Sequence, residues 1–374
     1  MSQTQHAQPT PAAQQTDFYL PILKKKSIAV VGNHSSLVIR DGENQHLVDF
    51  LLTENIQVKK VFAPEHGFRG MADAGSHIED GVDSRTGLPI VSLHGVHRKP
   101  QDHDLQGIDL VVFDIQDVGV RFYTYIATLQ LVMQACAENQ IPIVVLDRPN
   151  PNGHYVDGPV MEKEHQSFLG MNPVPLVYGM TIGEYARMVN GEGWLGNDLK
   201  ANLTVIPLKN YTHQTPYKLP VKPSPNLPNA KAVNLYPSLG LFEGTNVNAG
   251  RGTDRQFQQF GASFLNAKAY DYSYTPRPMP GASSPKEMGK ICFGRDLSKT
   301  PYLNRINLQW LIEAYNQSED KSQFFINQGF TRHAGTEKLQ QQIIEGWSEA
   351  DIRRSWKADI ETFLAIRQRY LLYP

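Results

Sequence analysis

Four short segments hold the side chains with which this chain can move protons or grip anions. The first, PEHGFRG at 64–70, sets a carboxylate (Glu65), an imidazole (His66) and a guanidinium (Arg69) among a proline and two glycines. The second, DIQDVGVRFYTY at 114–125, offers Asp114, Gln116, Asp117, Arg121, Tyr123 and Tyr125. The third, DRPN at 147–150, adds Asp147, Arg148 and Asn150, and the fourth, EGTNVNAGRGTD at 243–254, adds Glu243, Asn246 and Arg251. Cleavage of a glycosidic bond needs two acidic groups of unlike pKa, one protonated to donate and one ionised. Glu65 and Asp114 are the expected pair. A carboxyl that is partly desolvated keeps its proton, and Glu65, between Pro64 and Phe68, is the expected donor. Arginines 69, 121, 148 and 251 suit two-point binding of an anionic substituent, which a neutral sugar would not require.

Those segments follow strands. The short apolar runs at 27–31, 58–63, 89–93, 110–113 and 141–146 read as buried strands of a parallel sheet, with helical spacing at Ile126, Leu129 and Val132 between two of them. Right-handed crossovers return each strand in the same direction. The loops at 33–36, 65–69, 114–117 and 147–150 therefore share the carboxyl edge, where open α/β sheets bind ligands. Taken singly, each loop has a plainer reading: Glu65 and Arg69 as an ion pair within one turn, 243–254 as an ordinary surface loop. Their convergence favours a site. No G-x-G-x-x-G or G-x-x-x-x-G-K-[ST] follows the first strand, so no nucleotide cofactor is expected, and none of any other kind.

Residues 1–17 are polar and rich in Gln and Pro and read as an unfolded leader. A first α/β domain is expected over 18–225. Thr181 and Glu184 form a capping box there, and a further strand is expected at 203–208. Four prolines between 219 and 230 mark a boundary or a rigid crossing, and a smaller second domain is expected over 226–374. Its 243–254 loop would reach toward the first domain's edge. The final third is helical by spacing, with Trp310, Trp347, Trp356 and Phe363 expected in the core.

A chain of 374 residues, 40% hydrophobic and 20% charged, can bury a large core. The formal charge of −1 gives no footprint for nucleic acid, and no apolar run is long enough to span a bilayer. Cys136 and Cys292 form no metal or redox motif and read as buried free thiols. Two rival readings remain open. His34, His66, His77, His94, His97 and His103 lie in one region with Asp114, but no H-E-x-x-H or Cys/His spacing supports a metal-dependent hydrolase. The same arginines and tyrosines would also serve a wall-binding protein that cleaves nothing.

Seven ordered motifs carry a resemblance: APEHGFRG at 63–70, DGVDSRTGLPIVSLHG at 80–95, FDIQDVGVRFYTYIATL at 113–129, LDRPNP at 146–151, YGMTIGE at 178–184, KPSPNLP at 222–228 and FEGTNVNAGRGTD at 242–254. They resemble the exo-β-N-acetylmuramidase family, long known as a domain of unknown function. The resemblance implies removal of terminal N-acetylmuramic acid from the non-reducing end of peptidoglycan fragments. It also implies a Rossmann-like N-terminal domain, a smaller mixed C-terminal domain and a cleft between them. Glu65, in the PEHG motif, is the catalytic residue it implies. The lactyl carboxylate of muramic acid then gives an arginine its partner. The second catalytic group stays open among Asp114, Asp117, Tyr123, an activated water and the substrate's own acetamido carbonyl. A monomer or homodimer is expected. Family members are commonly exported to the periplasm or beyond; no export signal is visible here, and a cytoplasmic location stays open.

Overall fold

The computed structural model describes residues 8–40, 42–69 and 80–374. A seven-stranded sheet runs, edge to edge, Leu203–Ile206, Ile143–Leu146, Leu110–Asp114, Ser27–Gly32, Gln57–Ala63, Pro89–Ser92 and Gly81–Val82. Its pairings are parallel except for the short Gly81–Val82 edge. In chain order the six parallel strands sit as 6-5-4-1-2-3, the doubly wound Rossmann arrangement. The residues explain it: Ala29, Val30, Val31, Val111, Val112 and Phe113 are fully buried, as strands covered on both faces must be. The direction of winding reverses between Ser27–Gly32 and Leu110–Asp114. There the Ser36 hydroxyl donates to Asp114 O and Gln116 N donates to Ser35 Oγ, so the protein's own polar groups fill the switch point.

Three local readings are corrected. The leader is ordered from residue 8: Thr10 bridges Lys209, Ala12–Gln14 form a 3-10 turn with both alanines buried, and Thr16–Leu23 is a helix. Its low apolar content misleads because the few apolar groups it has are the ones buried, with the Tyr19 hydroxyl donating to Ala13 O at 2.8 Å. Residues 1–7 lie outside the described chain, as do 76–79 of the polar excursion at 76–87 and His77. An antiparallel hairpin, Leu37–Arg40 with Glu43–His46, enters the first crossover where only loop and helix were expected. Trp347 is 41% exposed rather than core, whereas Trp310, Trp356 and Phe363 are buried.

The later part of the chain adds a three-stranded antiparallel sheet, ordered Gln259–Ala262, Cys292–Asp296, Tyr272–Tyr274, and the helices Gln309–Asn316, Asn327–Ala334, Lys338–Ile344, Glu349–Ser355 and Lys357–Arg367. One apolar cluster joins Val31 and Phe113 of the large sheet to Tyr236, Phe257, Phe330 and Phe363. Both halves are therefore packed on a shared core. The last residues turn back onto the first half: the Tyr373 hydroxyl donates to Asp147 Oδ2, and the amides of Leu372 and Tyr373 donate to Glu184 Oε1.

Arg121 is the most deeply buried charged link across this junction. It is wholly buried, and its Nη1 donates to Pro159 O and Val174 O, its Nη2 to His333 O and Ala334 O, at 2.6 to 3.0 Å. Gly335, at φ 82°, follows the helix; a Cβ there would lie 2.5 Å from that Nη2, so only glycine fits. Arg121→Met should lower unfolding stability by roughly 3–5 kcal/mol, since each buried carbonyl left unmatched costs about 1–3 kcal/mol. A denaturant titration with a loss under about 1 kcal/mol would contradict this account.

Candidate active site

Glu65 stands in a tight turn after Gln57–Ala63, closed by the Gly67 amide donating to Pro64 O at 3.0 Å. His66 takes φ 71° and Gly67 φ 75°. Glycine adopts that region freely, whereas a histidine held there costs about 1–3 kcal/mol. The Thr124 hydroxyl, at the start of helix Tyr125–Glu138, donates to Glu65 Oε2 at 2.8 Å, and the Tyr125 hydroxyl approaches Glu65 O at 3.4 Å. One side of the carboxylate and the backbone beneath it are thus positioned by the central strand–loop–helix unit.

A cavity of about 300 Å³ opens over Glu65. Its walls are Glu65, His66, Phe122, Tyr123 and Thr124 from the first half, Ser224, Asn226 and Leu227 from the proline-rich crossing, and Tyr236, Glu243, Arg251, Phe257 and His333 beyond it, with Leu169 at the rim. Among the described residues its carboxylates are Glu65 and Glu243. Arg251 Nη2 lies 3.2 Å from Glu243 Oε2, with its guanidinium 5.5 Å from the Phe257 ring centre. The Lys286 ammonium sits behind Glu243, donating to the carbonyls of Phe242, Glu243 and Thr245. Burial works to raise the Glu243 pKa, but the neighbouring cations, Arg251 first and then Lys286, outweigh it and hold the carboxylate below its usual range. Glu243 is therefore ionised at neutral pH. Tyr123, whose hydroxyl donates to Pro223 O at 2.8 Å, is pushed up by burial and by the neighbouring Tyr125 and Tyr236 rings, so it stays a neutral phenol.

Of the expected site residues, Glu65, His66, Tyr123, Glu243 and Arg251 meet in this cavity, and Tyr125 supports it from below. The others serve elsewhere. Asp114, wholly buried, takes two hydrogen bonds from Arg148, whose Nη2 also reaches Leu37 O; this ion pair welds the strand end to the hairpin and is not part of the cavity wall. Arg69 bonds Asp49 and Asp83 and lies over Phe68, neither pairing with Glu65 nor facing the cavity. Arg121 is the carbonyl clamp described above. Asp117 accepts from the Tyr178 hydroxyl and Gly119 N, and burial lifts its pKa to about 6. Gln116 bridges the carbonyls of Asp117 and Pro149.

Asp147 collects Arg148 N, Gly183 N and the hydroxyls of Thr181 and Tyr373; burial raises its pKa to about 7 against those four donors. Asn150 bonds Met180 O and Asn152 N, and Asn246 bonds the carbonyls of Gln323 and Phe324. Each was expected at the site because loop polarity was read as exposure, whereas buried loops need the same side chains to satisfy their backbone. Among the described residues no three His, Cys, Asp or Glu side chains gather where they could hold an ion.

Sequence reasoning missed Thr124, Ser224, Asn226, Tyr236, Lys286 and His333. Ser224 and Asn226 were within sight in KPSPNLP, since a rigid crossing between two halves must pass the junction. His333 gives no local signal: it lies in an otherwise ordinary helix.

The fold and this two-sided cavity define a family. The model of the exo-beta-N-acetylmuramidase NamZ N-terminal domain matches residues 28–231 and that of its C-terminal domain matches residues 234–373. The chain belongs to the NamZ exo-β-N-acetylmuramidase family. It is 36% identical over 377 residues to the peptidoglycan beta-N-acetylmuramidase NamZ of Bacillus subtilis strain 168, covering 95% of this chain and 89% of that protein. Two crystal structures of DUF1343 family proteins from Bacteroides fragilis are similar throughout. One has a TM-score of 0.90 at 45% identity and the other 0.80 at 26%, each covering 98% of this chain and 99% of the other.

Asp114→Asn should lower stability by about 3–5 kcal/mol, because Arg148 is left buried without its counter-charge. The kcat per folded molecule should stay near the parental value. A hundredfold fall in kcat with unchanged unfolding would return Asp114 to the chemistry.

Proposed function

We propose that this protein is an exo-acting glycoside hydrolase releasing terminal non-reducing N-acetylmuramic acid from β-1,4-linked peptidoglycan fragments in wall turnover. One observation carries the reading: among the described residues, Glu65 from the first half and Glu243 from the second are the carboxylates facing one cavity, with Arg251 and Lys286 holding Glu243 ionised. Family membership and the relationship to the B. subtilis muramidase support the substrate. In this reading Glu65, oriented by Thr124, protonates the departing glycosidic oxygen. Glu243, held ionised, stabilises the positive charge that develops at the anomeric carbon. Tyr236 lines the cavity with both carboxylates. Arg251, ion-paired with Glu243, is the arginine that lines this cavity, and in this reading it meets the lactyl carboxylate; Arg69, Arg121 and Arg148 are committed elsewhere. Action in the periplasm or outside the cell is part of this proposal, as is a monomer or homodimer.

Glu65→Gln should cut release of muramic acid from the disaccharide with N-acetylglucosamine by roughly 10²–10⁴-fold. Part of the rate should return on an aryl muramide whose leaving group needs no proton. Parental rates on the disaccharide would refute the assignment. Arg251→Ala should reduce kcat/KM for muramides by roughly 10-fold or more, and for the matching glucosaminides far less, since loss of a charge-assisted hydrogen bond costs about 1.5–3 kcal/mol. Equal losses on the two substrates would exclude lactyl recognition by Arg251.

A further inference from the structure

The cavity holds one more group suited to proton transfer, contributed by the second half of the chain. His333 closes the helix Asn327–Ala334 and lines the cavity with Glu65 and Glu243. Its Nδ1 lies 2.8 Å from Gly329 O, a carbonyl that can only accept, so Nδ1 bears the hydrogen and the neutral ring keeps its lone pair on Nε2. No hydrogen bond from Nε2 occurs among the described residues. The ring is positioned as firmly as a metal ligand or a catalytic base usually is. Phe122 packs on it with centroids 5.5 Å apart, and the His333 carbonyl is one of the four gripped by Arg121. The buried cation of the first half therefore fixes the placement of an imidazole from the second.

We propose that His333 is the general base of the reaction: its Nε2 takes a proton from the water that attacks the anomeric carbon. This deepens the muramidase reading and rests on it. As the water oxygen bonds to that carbon, one water proton passes to Nε2. The bond to the departing oxygen breaks with its electron pair, and that oxygen takes the proton of Glu65. The step ends with an imidazolium and a carboxylate, and solvent resets both. Glu243 favours the imidazolium; Arg251 and Lys286 oppose it; Glu65, His66, Tyr123 and Tyr236 are the other titratable groups of the lining. Burial is the largest influence and lowers the His333 pKa from 6.5, so the ring is neutral and able to accept at neutral pH. The sign follows: the active form is the neutral one, and kcat/KM falls as pH drops through a midpoint below 6.5.

The test begins with the parental enzyme on the disaccharide, whose kcat/KM should show that acid limb. Absence of any limb between pH 4 and 7 overturns the proposal, and release of muramic acid by this same enzyme keeps the functional reading separate from it. His333→Asn preserves a donor to Gly329 O through its amide and removes Nε2. It should lower kcat by roughly 10²–10⁴-fold with KM little changed, and the limb should disappear. His333→Ala should regain turnover with azide, a nucleophile that needs no base, giving the glycosyl azide; Glu65→Gln should not regain it on the disaccharide. Parental kcat in both His333 variants, or an unchanged limb in His333→Asn, would assign the base to Glu243 instead.

Discussion

Burying an arginine without a carboxylate partner is the constraint around which this molecule is arranged. Arg121 leaves the loop after Leu110–Asp114 and finds four carbonyl oxygens, two from the strands Asp157–Val160 and Pro175–Val177 region and two from the last turn of helix Asn327–Ala334. Burial pulls its pKa down, but guanidinium deprotonation is out of reach near neutrality, and four oriented dipoles meet the charge in place of water. The geometry is demanding. Any sliding of the second half over the first would strand several carbonyls at once, so the junction is held at one setting.

That setting determines the chemistry. Glu65 belongs to the first half and is oriented by Thr124; Glu243, Arg251 and His333 belong to the second. A cavity assembled from both sides works only if the two sides keep register to within a few tenths of an ångström, the tolerance of hydrogen-bonded proton transfer. The shared apolar core gives bulk cohesion, but hydrophobic packing is not directional. Direction comes from the carbonyl clamp, from Tyr123 bonding Pro223 O on the crossing, and from the Phe122 ring against His333. Three consecutive residues thus align the halves.

Much of the framework was legible in the residues. Uninterrupted runs such as SIAVV and LVVFD have no plausible home but a sheet covered on both sides, and strand ends rich in Asp, Arg and Asn pointed to one working edge. The identity of the working residues was less legible. Asp114, Arg148, Asp147 and Asn150 match any catalytic list by type, yet here they satisfy one another and the buried backbone. Only coordinates separate a carboxylate that faces a cavity from one that faces an arginine. Glu65 and Glu243 could be named because each sits on a glycine-supported turn. His333 could not, because nothing near it in the chain tells that its helix ends against Arg121.

The closing segment of the chain has a further consequence. Leu372 and Tyr373 donate to Glu184, the Tyr373 hydroxyl reaches Asp147, and His213 N donates to Pro374 O. The polar framework of the first half is therefore completed by residues from the far end of the described chain. Substitutions in this strap would loosen the sheet of the first half as well as the strap itself.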